Sequence, residues 1–360
     1  MNILLMISKN DKYGAQRIFL DQVRCLQARG HAVTVVARGK EGFVTDSVRA
    51  MGLPCSANRM KGLRDLLELR RLIQNGRIGV IHTTLDRADY FGLLLSWTTG
   101  RPIVSTMMVP RCHPGYRFMD QVIALADKQA SILKARNVRA GRIHVIRPGI
   151  DVDRFSHPDP EKSSIWRNKL KTDQFGTVFC HISSLLERKA HRVSLEIMSE
   201  CKKRGDSPLL VVIGDPVQGE YYESLVRRSR ELGIQDNVFY TGWTADIPEI
   251  LSLSHFTLLP SENEALGVVL MEGMAAGTPI IAREGEGGAE LIHQYGTGIL
   301  FKPAEGVPSL AQEILNIRRD TSRFERLRGR ARTIAQQEFT LNRFGERLEQ
   351  VYAEALKAAR

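Results

Sequence analysis

Short apolar, β-branched runs alternate with amphipathic segments along the whole chain. NILLMI (2–7), HAVTVVAR (31–38), IGVIHTT (78–84), PIVSTM (102–107) and IHVIRPG (143–149) read as strands. Between them, RIFLDQVRCLQARG (17–30), LRDLLELRRLIQNG (63–76) and ADYFGLLLSWTTG (88–100) carry apolar residues at helical spacing and close on glycine. The second half repeats the rhythm with TVFCHIS (177–183), LLVVIGD (209–215), NVFYTG (237–242), FTLLPS (256–261), TPIIAR (278–283) and TGILFKP (297–303). Strand–helix alternation of this kind specifies an α/β fold with parallel, doubly wound sheets. A chain of 360 residues exceeds one ordinary core, so two such sheets are expected. The polar, proline-bearing stretch 151–170 reads as the connection between them.

Charge divides the halves. Residues 1–150 hold 24 Lys+Arg against 10 Asp+Glu, net +14; the rest hold 27 against 30, net −3. A basic first half suggests an anionic partner, and nucleic acid, an anionic membrane surface or a phosphorylated acceptor would all qualify. The segment 59–77 sets six basic side chains around a leucine-rich face. A solvated surface helix and a docking helix weigh equally there. No apolar run approaches the roughly 20 residues that span a bilayer. The opening MNILLMISKNDKYG has a short apolar run without a cationic flank, which reads as a strand and not a signal peptide. Five scattered cysteines without a CxxC suggest neither a disulfide framework nor a metal site, and a reduced, cytoplasmic protein is expected.

The most informative stretch is SENEALGVVLMEGMAAGTPII (261–281). An apolar run ends, a Pro-Ser break follows, and Glu264 stands on the loop. A helix then opens near Gly267 and ends at Gly277, with Glu272 one to two turns inside it. Unpaired N–H groups at a helix opening favour an anion, and carboxylates beside them suit hydroxyls. An ordinary helix with an acid near its start is the plain alternative. The Pro-Ser, Gly267 and Gly-Thr-Pro in register favour a site for a phosphorylated, hydroxyl-rich ligand. In such sheets, ligands bind beyond the carboxyl ends of the strands.

These residues, with Gly14, RGHAVTVV (29–36), RPGIDVDRF (147–155), ERKA (187–190), VVIGD (211–215), FYTGW (239–243) and GEGGAELI (285–292), give the chain a family resemblance. It resembles the retaining glycosyltransferases of family 4 over nearly its whole length. The resemblance implies the GT-B fold: two Rossmann-like domains facing across a cleft, with a C-terminal helix crossing back. It implies an acceptor domain at 1–160, joined by 339–360, and a donor domain at 161–338. It also implies transfer of a sugar, with retention, from a UDP-, GDP- or ADP-linked donor to a glycan, lipid-linked or phosphorylated acceptor. Bacterial surface polysaccharide assembly, lipopolysaccharide included, is the expected setting. No cofactor, metal or nucleic-acid partner is implied. By the resemblance, Lys189 and Arg188 neutralise the diphosphate, and Glu272 accepts from the ribose hydroxyls. Glu264, Ala265, Leu266, Gly267 and Val268 hold the sugar and distal phosphate, Gly14 lets a loop approach that phosphate, and Trp243 and Thr244 border the base.

Three positions depart from the family pattern. Ile182-Ser183-Ser184 stands where a Gly-Arg is usual, and Arg188 is the candidate replacement charge. Met108 stands where a histidine near the reacting centre is usual; His113 is either its substitute or a plain loop histidine. Tyr13-Gly14 replaces a Gly-Gly pair. The departures leave a sugar-nucleotide epimerase of the same fold, or an inactive nucleotide-sugar-binding scaffold, as alternatives. Asp215 is open between ligand contact and loop capping.

Overall fold

The structure is a computed structural model, and it describes residues 1–12 and 14–358. The chain forms two compact units: Met1–Ile150 with the terminal segment from Phe339, and Asp151–Glu338.

The first unit holds seven strands: β1 (Asn2–Ile7), β2 (Ala32–Arg38), β3 (Cys55–Asn58), β4 (Val80–Thr84), β5 (Ile103–Met107), β6 (Gln121–Ala124) and β7 (Ile143–Val145). They pair in parallel in the order β3-β2-β1-β4-β5-β6-β7. Successive residues of β1 feed opposite cores, as the twofold strand period demands. Ile3, Leu5 and Ile7 join the core under helix Gly14–Ala28, and Leu4 and Met6 join the core under helices Leu63–Asn75 and Asp86–Thr99. The terminal helix Leu341–Ala358 completes the first of these cores with Phe344, Leu348, Val351 and Tyr352. The Tyr352 hydroxyl lies 2.6 Å from His82 Nδ1, whose other ring nitrogen lies 2.7 Å from Thr106 Oγ1. At the helix surface, Arg29 donates to Glu349 at 2.7 Å.

The second unit holds β8 (Thr177–Ile182), β9 (Pro208–Ile213), β10 (Val238–Gly242), β11 (Phe256–Leu259), β12 (Ile280–Arg283) and β13 (Gly298–Phe301). All its pairings are parallel, in the order β10-β9-β8-β11-β12-β13.

Two expectations from sequence need correction. The stretch 151–170 is not a simple connection but two helices, Val152–Ser156 and Pro160–Leu170. Asp151 caps the first by accepting from the Arg154 amide, and Asp159 caps the second by accepting from Glu161 and Lys162. Pro160 occupies the first helical turn, where its missing N–H costs nothing. Val152, Phe155, Trp166 and Leu170 are buried, so 151–160 belongs to the second unit and not to a first domain ending at 160. The second correction is omission. Strands β3 and β6 and helices Phe43–Ala50 and Asp127–Ala135 are absent from the sequence reading; β3, CSAN, has no large apolar residue to mark it.

Candidate functional site

A doubly wound sheet opens a crevice where its strand order reverses. In the second unit that point lies between β8 and β11. The segment after β8 carries Arg188 and Lys189, and the segment after β11 carries Glu264. Lys189 Nζ lies 2.5 Å from Glu264 Oε2, and each side chain is only 15% exposed. This is a charge-assisted contact in a partly dry setting, where it is stronger than on open surface. An ammonium has three N–H donors, so Lys189 keeps capacity for a second anion. Arg188 is exposed, and among the described residues its side chain has no ion-pair partner. Its carbonyl accepts from the Glu262 amide at 2.8 Å, which ties the two segments together.

The helix Val268–Ala276 opens at Gly267, where φ is +82° and a Cβ would overlap Leu259. Only glycine fits that turn. The Leu270 amide already bonds the Gly267 carbonyl at 2.9 Å, while the Val268 and Val269 amides stand at the opening without an intrahelical acceptor. Ala265 and Leu266 lead into this turn, and Leu266 is buried. Glu272 is 98% buried in the same helix. The Glu264 amide is taken by Glu286 Oε2 at 3.0 Å, so it is not one of the free donors that the loop was expected to offer. Glu286 belongs to the GEGGAELI segment (285–292) that carries the family resemblance, where no role was read for it, and its flanking Gly285 and Gly287 mark a tight approach. Gly287 forms that approach: its N–H reaches the Glu264 carbonyl at 3.3 Å, and a Cβ there would overlap the Ala265 carbonyl.

Trp243 follows β10 on the same edge of the sheet and is 57% exposed. Its amide donates to Asp215 Oδ1 at 3.2 Å, a loop-capping contact. Thr244 accepts from the Asp246 amide at 3.1 Å.

Beneath Lys189 lies a cluster that sequence reading missed. His181 and His191 stack with centroids 4.1 Å apart, and Ser183 Oγ lies 3.1 Å from Nε2 of each. Ser194 is 2.9 Å from His181 Nδ1. Ser183, one of the departures, therefore bridges two imidazoles. Burial and then the neighbouring charges push His181 well down, and burial followed by the Lys189 charge pushes His191 down to about 4. The pair is neutral at neutral pH. Burial also lowers His82 to about 3 and His255 to about 4. Unfolded histidines titrate near pH 6.5, so below that pH the unfolded chain binds more protons than the folded one. Stability should accordingly fall as pH drops from about 6.5 toward 4. Urea unfolding at pH 7, 6 and 5 checks this, and a flat profile would contradict it.

In the first unit the order reverses between β1 and β4. Gly14 opens the helix after β1. Its φ is not left-handed, and nothing lies within 4 Å of a Cβ built there, so neither local packing nor backbone geometry requires glycine. Tyr13 lies outside the described residues. His113 follows β5 and is not a solvated loop histidine. It is buried, its Nε2 lies 2.8 Å from Asp89 Oδ2, and Tyr116 stacks on it at 4.1 Å. Asp89 also accepts from Thr83 and Ser105, at 2.6 Å each. The buried Asp89 within a helical pattern was the available signal for this network. Met108 is buried nearby.

Residues 162–334 match the family described as "Glycosyl transferases group 1", and residues 13–149 match the "Glycosyl transferase 4-like domain". The chain is 27% identical over 307 residues to a GDP-mannose-dependent alpha-(1-6)-phosphatidylinositol monomannoside mannosyltransferase of Mycobacterium tuberculosis, covering 77% of this chain and 78% of that one. It is 22% identical to an Escherichia coli UDP-Gal:alpha-D-GlcNAc-diphosphoundecaprenol alpha-1,3-galactosyltransferase, over 80% of this chain and 81% of that one. Its fold matches Anabaena Alr3699/HepE, solved in complex with UDP, with a TM-score of 0.87 at 20% identity, covering 98% of this chain and 100% of that one.

Proposed function

Since this chain belongs to the glycosyltransferases of the family 4 type, with the GT-B fold, we propose that it transfers a sugar from a nucleotide-sugar donor with retention of configuration. The acceptor is a glycan, lipid-linked or phosphorylated molecule of surface polysaccharide assembly. The observation that carries this reading is the Lys189–Glu264 pair at the strand-order reversal, next to the helix opening that buries Glu272. The two relatives named above act on lipid-linked sugars, which supports the acceptor class.

The chemistry assigns each group one task. The bond between the anomeric carbon and the phosphate oxygen breaks, and its electron pair stays on the diphosphate. Lys189, Arg188 and the helix-opening amides stabilise that charge, most strongly in the transition state. Arg188 supplies the cation that Ser184 does not. Glu264, held in place by Lys189 and through its amide by Glu286, faces the sugar and its positive charge. The acceptor oxygen bonds the anomeric carbon, and its proton passes to the departing phosphate oxygen. Glu272 accepts from the ribose hydroxyls, and Trp243 and Thr244 border the base. In the first unit, Asp89 fixes the ring of His113.

A thermal-shift screen of UDP-, GDP- and ADP-sugars tests donor binding. Stabilisation by none of them would remove the reading, and binding without transfer to any acceptor would favour a scaffold. Glu272→Ala should weaken donor binding by about 1.5–3 kcal/mol, the range for a lost hydrogen bond to a charged group. Calorimetry showing unchanged affinity would take Glu272 out of the ribose role. Proton NMR of the product's anomeric centre reads the stereochemistry, and an inverted product would sink the retaining assignment.

A further inference from the structure

Helix Asp86–Thr99 of the first unit carries large apolar side chains on two faces. One face is covered here: Ala88, Phe91 and Leu95 lie in the core beneath it. The other is not. Tyr90, Leu94 and Trp97, spaced four and three residues apart, form one stripe, and they are 43%, 42% and 65% exposed. Phe118, from the turn packed beside this helix, is 59% exposed and meets Trp97 edge-on at 6.2 Å between centroids. The neighbouring helix Leu63–Asn75 packs against the first and leaves Leu67 44% exposed and Leu63 71% exposed. Isolated exposed apolar residues need no explanation, but a stripe of large ones including a tryptophan does.

Cations surround the stripe. Arg64, Arg71, Arg87, Arg101 and Arg117 are all exposed on these same segments. Of the nearby acids, Asp86 is paired with Arg111 at 2.6 Å and Asp65 is buried, which leaves Glu68 exposed. The chemistry of the stripe is that of an interface layer: aromatic rings with a polar edge, aliphatic side chains, and a basic rim. A second copy of this chain fits poorly, since it would bring an equally basic surface against this one. Among the described residues no helix is long and apolar enough to cross a membrane, so the stripe would lie on a bilayer and not span it.

We propose that the Tyr90–Leu94–Trp97–Phe118 face of the first unit is a docking surface for an anionic lipid bilayer. The aromatic and leucine side chains enter the headgroup boundary and the arginine rim pairs with anionic headgroups. The inference deepens the function proposed above and rests on it for its purpose, since a lipid-linked acceptor resides in such a bilayer. The face itself does not depend on donor chemistry.

The test is flotation of the full-length protein with vesicles of phosphatidylcholine alone or with one-third phosphatidylglycerol. Retention is expected on the anionic vesicles only, and should weaken as salt rises. Trp97→Ser/Phe118→Ser should lower vesicle affinity by roughly tenfold or more, as loss of buried apolar area dictates. Arg87→Glu/Arg101→Glu should abolish retention at low salt. Thermal melting of each variant controls for folding. Quenching of tryptophan fluorescence by brominated lipid, present in the unsubstituted protein and sharply reduced in Trp97→Phe, gives a readout that leaves the surface shape nearly intact. Failure to float on anionic vesicles overturns the proposal, as does equal retention of the serine variant or quenching indifferent to Trp97. A concentration-dependent dimer that Trp97→Ser/Phe118→Ser dissolves, without vesicle binding, would assign the face to a second copy instead. Nucleotide-sugar calorimetry on the same samples separates the two readings: intact donor binding without flotation removes the membrane surface alone, and flotation without donor binding removes the transferase reading alone.

Discussion

Lys189→Ala should lower turnover at saturating donor by about 100- to 1000-fold, the usual cost of removing one preorganised charge-stabilising donor. The geometry concentrates the effect on this residue. Lys189 stands at the reversal of strand order, beside a helix opening and in contact with Glu264 at 2.5 Å. Charge that develops on a departing diphosphate there meets a cation that needs little reorganisation. Two losses combine in the variant. The leaving group loses its counter-charge, and Glu264, whose side chain is only 15% exposed, loses the partner that fixes its carboxylate. The second loss should also cost about 1–3 kcal/mol of stability, so a melting curve must accompany the rate. Lys189→Arg restores charge without the same reach, and should recover part of the rate. A near-wild-type rate for Lys189→Ala would mean that the diphosphate is held elsewhere, and Arg188 would then be the next candidate.

Gly287→Ala should be nearly as damaging to activity, at a comparable cost to the fold. A methyl at this position would overlap the backbone carbonyl of Ala265, and backbone cannot yield as a side-chain tip does. The added methyl must push the 264–266 loop outward or tilt helix Gly287–Tyr295. Overpacking of this kind costs about 1–3 kcal/mol. The loop carries Glu264, and a displacement near 1 Å can cost about 100-fold in rate. Gly14→Ala offers the contrast. Its Cβ would have open space within the first unit, so the fold should tolerate it, and any loss should appear in donor binding and not in melting temperature. If Gly287→Ala retained full activity with an unchanged melting curve, the loop would be more compliant than its contacts suggest.

Much of the architecture was legible in the sequence. Strand β1 matches its reading at both ends, and the glycines at 100 and 277 stop their helices in left-handed conformations, as helix termini require. Periodicity reports burial, and long elements buried on one or two faces report it well. Strand β3, CSAN, has no large apolar side chain from which a strand could be read. The 151–170 stretch misled for the opposite reason. Its prolines and acids, read as loop chemistry, are helix-start chemistry once Asp151 and Asp159 are seen to cap.

The candidate site was legible in outline and not in partnership. Spacing and the Pro-Ser break identified the 261–281 segment, because glycines and caps are local requirements written in local sequence. Nothing local told that Glu286 occupies the Glu264 amide, that Ser183 bridges two histidines, or that Asp89 buries and orients His113. Each joins residues brought together by strand order.

Sequence by itself determined the alternation of elements, the basic character of the first half, and the segments that open helices near Glu264 and Lys189. Those properties follow from side-chain chemistry and backbone preference over a few neighbouring residues. Tertiary structure alone decided that Lys189 meets Glu264 across 75 residues, that Asp215 caps a loop, and that Trp97 and Phe118 face outward. Parallel strands can adjoin only through long crossovers, so contacts at their carboxyl ends depend on which strands become neighbours and not on distance along the chain.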